Sequence, residues 1–257
     1  MLVDKVVLGK TGLKVSRLSF GTTPLGGRSW RREPAIPPEE GGIILEQALR
    51  LGINYWDTAE GYGTHAHVRE GLRRVRREEV VISTKTNACT EEEAWKCITR
   101  SLNELGTDYI DIYFMHYVNR PEELKRRQGA LRAMLEAKES RLIKHIGLST
   151  HRAEVVEVAA SMPEIEVLMA KVNKLGYRTE SPPERMLEAL EKAYEQGKGI
   201  CIMKVLAYGM LSVEEAFRWA FRIPFVHTVC VGMRTMRELE ENVRIYLKVK
   251  STQTDKA

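Results

Sequence analysis

The chain has 257 residues, of which 43% are hydrophobic and 29% charged, an ordinary globular composition with enough apolar mass for a sizeable core. Its net charge of +5 is mild, and no apolar run approaches the length of a membrane span. Collagenous, disordered and membrane-spanning classes are thereby excluded.

From the N-terminus, Val6 to Leu8 and Leu13 to Val15 flank Gly9-Lys10-Thr11-Gly12 and predict a hairpin within residues 1–16. Arg17 to Thr22 reads as the first long strand, followed by a Pro/Gly-rich loop to Pro38 and a helix from Glu39 to Leu51. The strand Asn54 to Ala59 precedes a helix from His65 to Val75, and Val80 to Thr86 precedes a helix from Thr90 to Leu105 opened by a Thr90–Glu93 capping box. Ile110 to His116 leads to a helix opened by Pro121, and Lys144 to Ser149 leads to a helix from Arg152 to Ala160. Glu166 to Asn173 precedes Ser181-Pro182-Pro183-Glu184, read as a cap and N-terminal proline for a helix to Gln196. Gly199 to Val205 and Thr228 to Met233 complete the strands. Their helices run from Ser212 to Phe221 and from Thr235 to Lys248, capped by Ser212 with Glu215 and by Thr235 with Glu238. Residues 250–257 read as a frayed tail.

Strand and helix thus alternate eight times, and several strands are apolar on both faces, as buried parallel strands are. The expected fold is a single α/β domain over residues 1–257, a (β/α)8 TIM barrel with the N-terminal hairpin closing its bottom; such barrels need about 250 residues. No GxGxxG follows the first strand, which weighs against an open dinucleotide-binding sheet. The cysteines Cys89, Cys97, Cys201 and Cys230 lack metal or CxxC spacing and read as free thiols in a reducing, cytoplasmic setting, with no metal site. Met1-Leu2-Val3-Asp4-Lys5 does not read as a secretion signal. The run Arg73-Arg74-Val75-Arg76-Arg77 reads as a solvated helix end, because no aromatic residues interleave as nucleic-acid stacking platforms. Neither nucleic acid nor membrane is an expected partner.

Four polar residues fall at or just past successive strand ends: Asp57, Tyr62, Lys85 and His116. In a parallel α/β architecture those ends converge on one ligand-binding rim. A phenol, an ammonium, a carboxylate and an imidazole together suit carbonyl reduction. No side chain donates hydride, so a nicotinamide must. Tyr62 would supply the proton, with Lys85 lowering the phenol's pKa, Asp57 holding Lys85 charged, and His116 hydrogen-bonding the carbonyl oxygen.

With these residues the chain resembles the aldo-keto reductase family over nearly its whole length. The matching stretches are Asp57-Thr58-Ala59-Glu60-Gly61-Tyr62-Gly63, Ser83-Thr84-Lys85, Asp111-Ile112-Tyr113-Phe114-Met115-His116, Ile146-Gly147-Leu148-Ser149, and Val231-Gly232-Met233-Arg234 through Glu241-Asn242. The resemblance implies reduction of aldehydes and ketones, usually with NADPH and in some members with NADH, and assigns the catalytic tetrad to Asp57, Tyr62, Lys85 and His116. It further implies that Ser149 and Thr150 take the place of a Ser-Asn pair on the nicotinamide carboxamide. Met169 stands for a glutamine there, with Asn173 assisting, and Met203 stands for a stacking aromatic. Lys204 is expected at a phosphate. Gly232 and the helix start beside it meet the adenosine phosphate, with Arg234 first and Arg237 second for a 2′-phosphate; Glu238, where the family usually has arginine, repels one. Glu241 and Asn242 face the adenine.

Thr22, Trp30, the loop from Gly26 to Pro38 and Tyr117 are expected to wall the substrate pocket. The short segment Leu206 to Leu211 and the little sequence after the last helix predict an open site with fast cofactor exchange and loose substrate selection. A small-molecule carbonyl is the expected substrate, and the protein a monomer or weak oligomer. Two alternatives remain open: a Schiff-base aldolase using Lys85 or Lys204, and a non-catalytic nicotinamide-binding regulatory subunit.

Overall fold

The computed structural model describes residues 2–27 and 33–254. A two-stranded antiparallel hairpin, β1 (Lys5–Val7) and β2 (Lys14–Ser16), precedes eight parallel strands: β3 (Leu18–Gly21), β4 (Tyr55–Asp57), β5 (Val81–Thr86), β6 (Ile110–Val118), β7 (Ile143–Thr150), β8 (Val167–Lys171), β9 (Gly199–Met203) and β10 (Thr228–Gly232). These eight close into a barrel in chain order, with β10 pairing β3. The helices outside are α1 (Pro38–Arg50), α2 (His65–Leu72), α3 (Glu91–Leu105), α4 (Pro121–Arg126), α5 (Gln128–Glu139), α6 (Ala153–Ala160), α7 (Pro183–Glu195), α8 (Val213–Ala220) and α9 (Met236–Thr254). The expected (β/α)8 TIM barrel is therefore the observed fold.

Alternation along the strands sorts side chains into two cores. Trp56, Ile82, Tyr113 and Leu168 face the helices, whereas Tyr55, Val81, Ile112, Phe114, Val167, Met169, Cys201 and Cys230 fill the barrel interior. Leu8 and Val15 of the hairpin join the interior group, so the hairpin plugs the bottom. It is latched there by Ser16 N–H and the Lys14 carbonyl, both bonded to the Asn54 amide, and by Gly9 N–H donating to His227. Gly147 makes room for the interior Phe114 ring, since a Cβ would come within 2.4 Å of it. Asp57 and Lys85 stand above this apolar plug, at the C-terminal ends of β4 and β5, and they carry the polar groups to the C-terminal mouth.

The Thr90–Glu93 and Ser212–Glu215 capping boxes form as expected. Ser181 does not cap α7. Pro182 takes that position, and the Ser181 hydroxyl instead accepts the first N–H of the neighbouring α6, from Ala153. Of the tail at 250–257, α9 includes the residues through Thr254, held by Lys250 on Asp4 and by Arg218 donating to the Thr252 hydroxyl, and residues 255–257 lie outside the described residues. The arginine run is only partly a solvated helix end. Arg73 and Arg76 pair with Glu70 and Glu79 at the surface. Arg77, with a side chain 15% exposed, clamps Asp111 and the carbonyls of Val80 and Tyr109.

Candidate active site

Asp57 and Lys85 are the last inward residues of β4 and β5 and are buried in the mouth. The Lys85 ammonium donates to Asp57 Oδ1 at 2.5 Å and to the Thr58 carbonyl at 2.7 Å. Asp57 Oδ1 also accepts the Ser83 hydroxyl at 2.6 Å. Burial pulls the Lys85 pKa down, but the Asp57 carboxylate and then the Tyr62 phenol more than offset it, so the ammonium ends above its ordinary value.

Tyr62 ends a short 3-10 turn, Glu60–Tyr62, that turns back over the mouth, and its ring centre lies 5.0 Å from Lys85 Nζ. Gly26 is required beneath it: a Cβ there would stand 2.3 Å from the Tyr62 carbonyl oxygen. The expected lowering of the phenol is not the net result. Burial raises the Tyr62 pKa and outweighs the lowering by Lys85, whose charge is largely matched by Asp57.

His116 reaches the mouth through an irregularity in β6. Met115 pairs with Leu148 and Val118 with Thr150, so His116 and Tyr117 together oppose the single residue Ser149. This is a β-bulge, a device that re-aims a side chain. Tyr117 sits in it at φ +53°, and its N–H donates to the Ser149 hydroxyl. Thr150 donates to the Val118 carbonyl, and the Arg127 guanidinium donates to the His116 carbonyl at 2.7 Å. The His116 ring meets the Tyr62 ring edge-on at 5.8 Å. Burial, with Lys85 and Arg127 nearby, pushes the imidazole down to about 3, so it is neutral in ordinary buffers.

A cavity of about 320 Å³ opens beside Tyr62 and is lined by Asp57, Met203, Lys204, Tyr208, Gly232, Glu33 and Glu238. Gly21 and Gly232 let the backbone form its wall; a Cβ on Gly232 would stand 2.9 Å from Pro24. The Tyr62 phenol, the Lys204 ammonium and bare glycine backbone line one cavity, a donor set that suits a dinucleotide. A larger, shallower groove at the barrel bottom, along Lys5, Arg50 and Arg74, contains none of the four.

The other expected contacts divide. Gly232 and Lys204 line the cavity, and Lys204 takes a left-handed φ of +64°. Ser149 accepts Tyr117 N–H in the bulge, and Thr150 donates to the Val118 carbonyl and accepts Arg152 N–H. Met169 is buried inside the barrel below the mouth. Asn173 is consumed by its own loop: it accepts from Leu175 N–H and Tyr177 N–H and donates to the Tyr177 carbonyl. Arg234 is pinned by the Pro24 carbonyl at 2.8 Å and by Glu33 at 3.6 Å. Arg237, Glu241 and Asn242 do not line the cavity. Thr22 lies behind the site, donating to the Asp57 carbonyl and bonded to Thr64, while its neighbour Thr23 lines the cavity. Tyr117 stands at the rim, 41% exposed, against His151. Trp30 lies outside the described residues.

One group was missed by sequence reasoning. Lys171, two residues beyond Met169 and so on the same face of β8, is the inward residue at the mouth. It is buried and paired with Glu180, which also holds His151. Counting alternation upward from the interior Val167 would have found it.

Comparison with known proteins agrees with this architecture. The chain is 28% identical over 238 residues to an Escherichia coli protein named NADH-specific methylglyoxal reductase, covering 82% of this chain and 69% of that one. It is 28% identical over 177 residues to a soybean protein named probable aldo-keto reductase 1, covering 63% of this chain but only 49% of that one. A solved aldo-keto reductase structure from Pseudomonas aeruginosa superposes with a TM-score of 0.82 at 27% identity, covering 97% and 96% of the two chains. The family model described as "Aldo/keto reductase family" matches residues 17–216, most of the barrel and all four mouth residues: the chain belongs to the aldo/keto reductase family.

Proposed function

We propose that this chain reduces an aldehyde or ketone to the alcohol, with Tyr62 as proton donor. The observation that carries the reading is the buried Lys85–Asp57 pair set against the Tyr62 ring, with Asp57 and Tyr62 both lining the cavity. The membership in an oxidoreductase family and the carbonyl-reducing name of the Escherichia coli relative support the same reaction.

A bound reduced nicotinamide dinucleotide supplies the hydride; the side chains handle the oxygen and its proton. The raised pKa of Tyr62 keeps the phenol protonated at rest. As the carbonyl carbon is reduced, its oxygen gains alkoxide character and takes the Tyr62 proton. The phenolate left behind is stabilised by the Lys85 ammonium, which Asp57 orients. Neutral His116 holds the carbonyl oxygen through a ring N–H without acting as a competing acid, and solvent reloads Tyr62 after the alcohol leaves. Lys85 is a poor imine-forming amine, because its partners hold it protonated.

Single-turnover oxidation of bound NADH and of bound NADPH against small aldehydes, methylglyoxal included, tests this. Tyr62→Phe should bind the dinucleotide as the parent does while losing nearly all hydride transfer. Turnover within threefold of the parent would remove Tyr62 from its role.

A further inference from the structure

Tyr62 sits in an open turn. A Cβ added at Gly61 or at Gly63, on either side of it, would meet nothing within 4 Å. Two residues further on, Thr64 stands at the N-cap of α2 and is fully buried. A threonine there ordinarily turns its hydroxyl onto a helix N–H. Thr64 makes no such cap bond. Its hydroxyl lies instead 2.7 Å from that of Thr22, just past β3, and 2.8 Å from that of Thr58, just past β4.

The direction of these bonds follows from the number of hydrogens, since a hydroxyl has one to give. Thr22 gives its hydrogen to the Asp57 carbonyl at 2.9 Å, so Thr64 donates to Thr22 and Thr58 donates to Thr64. The result is a one-way chain of buried hydroxyls that starts at Thr58 and ends on the Asp57 backbone. Both ends touch the Lys85–Asp57 pair: the Thr58 carbonyl accepts the Lys85 ammonium at 2.7 Å, and Asp57 is that ammonium's carboxylate partner. A fully satisfied buried chain of this kind rigidifies what it joins. The next residue, His65, is buried and bonds Thr84 of β5 at 2.8 Å and Glu104 of α3 at 2.6 Å, so α2 has an anchor apart from Thr64.

Building on the reductase reading, we propose that Thr64 is a positioning residue for the proton transfer: its hydroxyl fastens the turn that carries Tyr62 to the backbone that carries Asp57 and receives Lys85. Thr64 is buried and does not line the cavity, so it acts through Tyr62 and not on a ligand. What it sets is the distance between phenol and ammonium, and proton delivery depends steeply on such placement.

Thr64→Val keeps the side chain's shape and removes the hydroxyl, and Thr64→Ser restores the hydroxyl. Thr58→Val breaks the same chain at its first link and carries the test if melts show Thr64→Val to be unfolded. Thr228→Val is the comparison: Thr228 is equally buried, and its hydroxyl donates to the Ser16 carbonyl at 2.8 Å where β10 begins. Each is assayed below its melting temperature by single-turnover oxidation of bound NADH or NADPH with methylglyoxal and small aldehydes, in light and in heavy water. Thr64→Val should slow the reaction about 10–100-fold, leave the dinucleotide dissociation constant within twofold and enlarge the solvent deuterium effect. Thr58→Val should act in the same direction. Thr64→Ser should return to within threefold of the parent, and Thr228→Val should keep the parent's rate and isotope effect. A rate within threefold of the parent in the folded chain-breaking variants, an equal slowing in Thr228→Val, or a slowing that Thr64→Ser does not relieve overturns the proposal while leaving carbonyl reduction standing. A parent chain that oxidises neither dinucleotide with any of these carbonyls overturns this proposal and the reductase reading together.

Discussion

The two sides of the barrel mouth differ in how they are built. On the β4–β6 side, Asp57 and Lys85 are ordinary inward residues at strand ends, and only His116 needs a bulge. On the β7–β8 side, the polar residues expected to face a ligand also hold backbone: Ser149 accepts Tyr117 N–H and Thr150 donates to the Val118 carbonyl in the bulge, and Asn173 ties its own loop. The β4–β6 side is therefore an arrangement of side chains converging at the mouth. The opposite side is also scaffolding, with Lys171, paired to Glu180, inward two residues past Met169.

Substitutions can break this contrast. The largest effect belongs to Tyr62→Phe, which should lower kcat by about 10²–10⁴-fold with little change in dinucleotide affinity, as measured by stopped-flow and titration. Lys85→Met should come next. It strands the buried Asp57 carboxylate and should cost about 3–5 kcal/mol of stability by urea unfolding, together with loss of turnover. Asn173→Ala on the scaffolding side should cost about 1–3 kcal/mol, because three loop backbone bonds lose their partner. It should leave the dinucleotide dissociation constant within twofold; a larger loss would return Asn173 to the cofactor.

The smallest effect on activity concerns pH. His116 is pushed down to about 3, so kcat/KM should show no inflection from it between about pH 5 and 8. Stability should respond instead. His65, His116, His151 and His227 are all lowered, chiefly by burial, with His227 at about 4. The unfolded chain takes up protons near pH 6.5 where the folded chain resists them. This contribution is complete above about pH 6.5 and is lost as pH falls toward the folded values. Melting temperatures from pH 8 to pH 4 should decline across that window; a flat profile would mean that these rings are hydrated.

The same contrast explains what the sequence disclosed. Period-two alternation and turn residues expose strands, caps and barrel closure, and they carry Asp57 and Lys85 into the mouth without further assumption. A bulge has no signature of that kind, so the bonds that Ser149 and Thr150 make to β6 could not be read from spacing. Nor could Arg234 be read as engaged, since its partners Pro24 and Glu33 come from a loop some 200 residues earlier in the chain. Counting alternation from an interior residue would have exchanged Met169 for Lys171. The net direction of the Tyr62 shift needed depth, which the residue string does not encode.

The ionisation states in the mouth have a calorimetric corollary. Ammonium, phenol and imidazole are all displaced away from neutrality, each in the direction that fixes its resting form. Dinucleotide docking near pH 7 should therefore neither release protons from these groups nor draw them in, and the heat of association should be the same in phosphate and in Tris. Each catalytic cycle would begin with its acid already charged, and water would be asked for one proton only after the alcohol has gone.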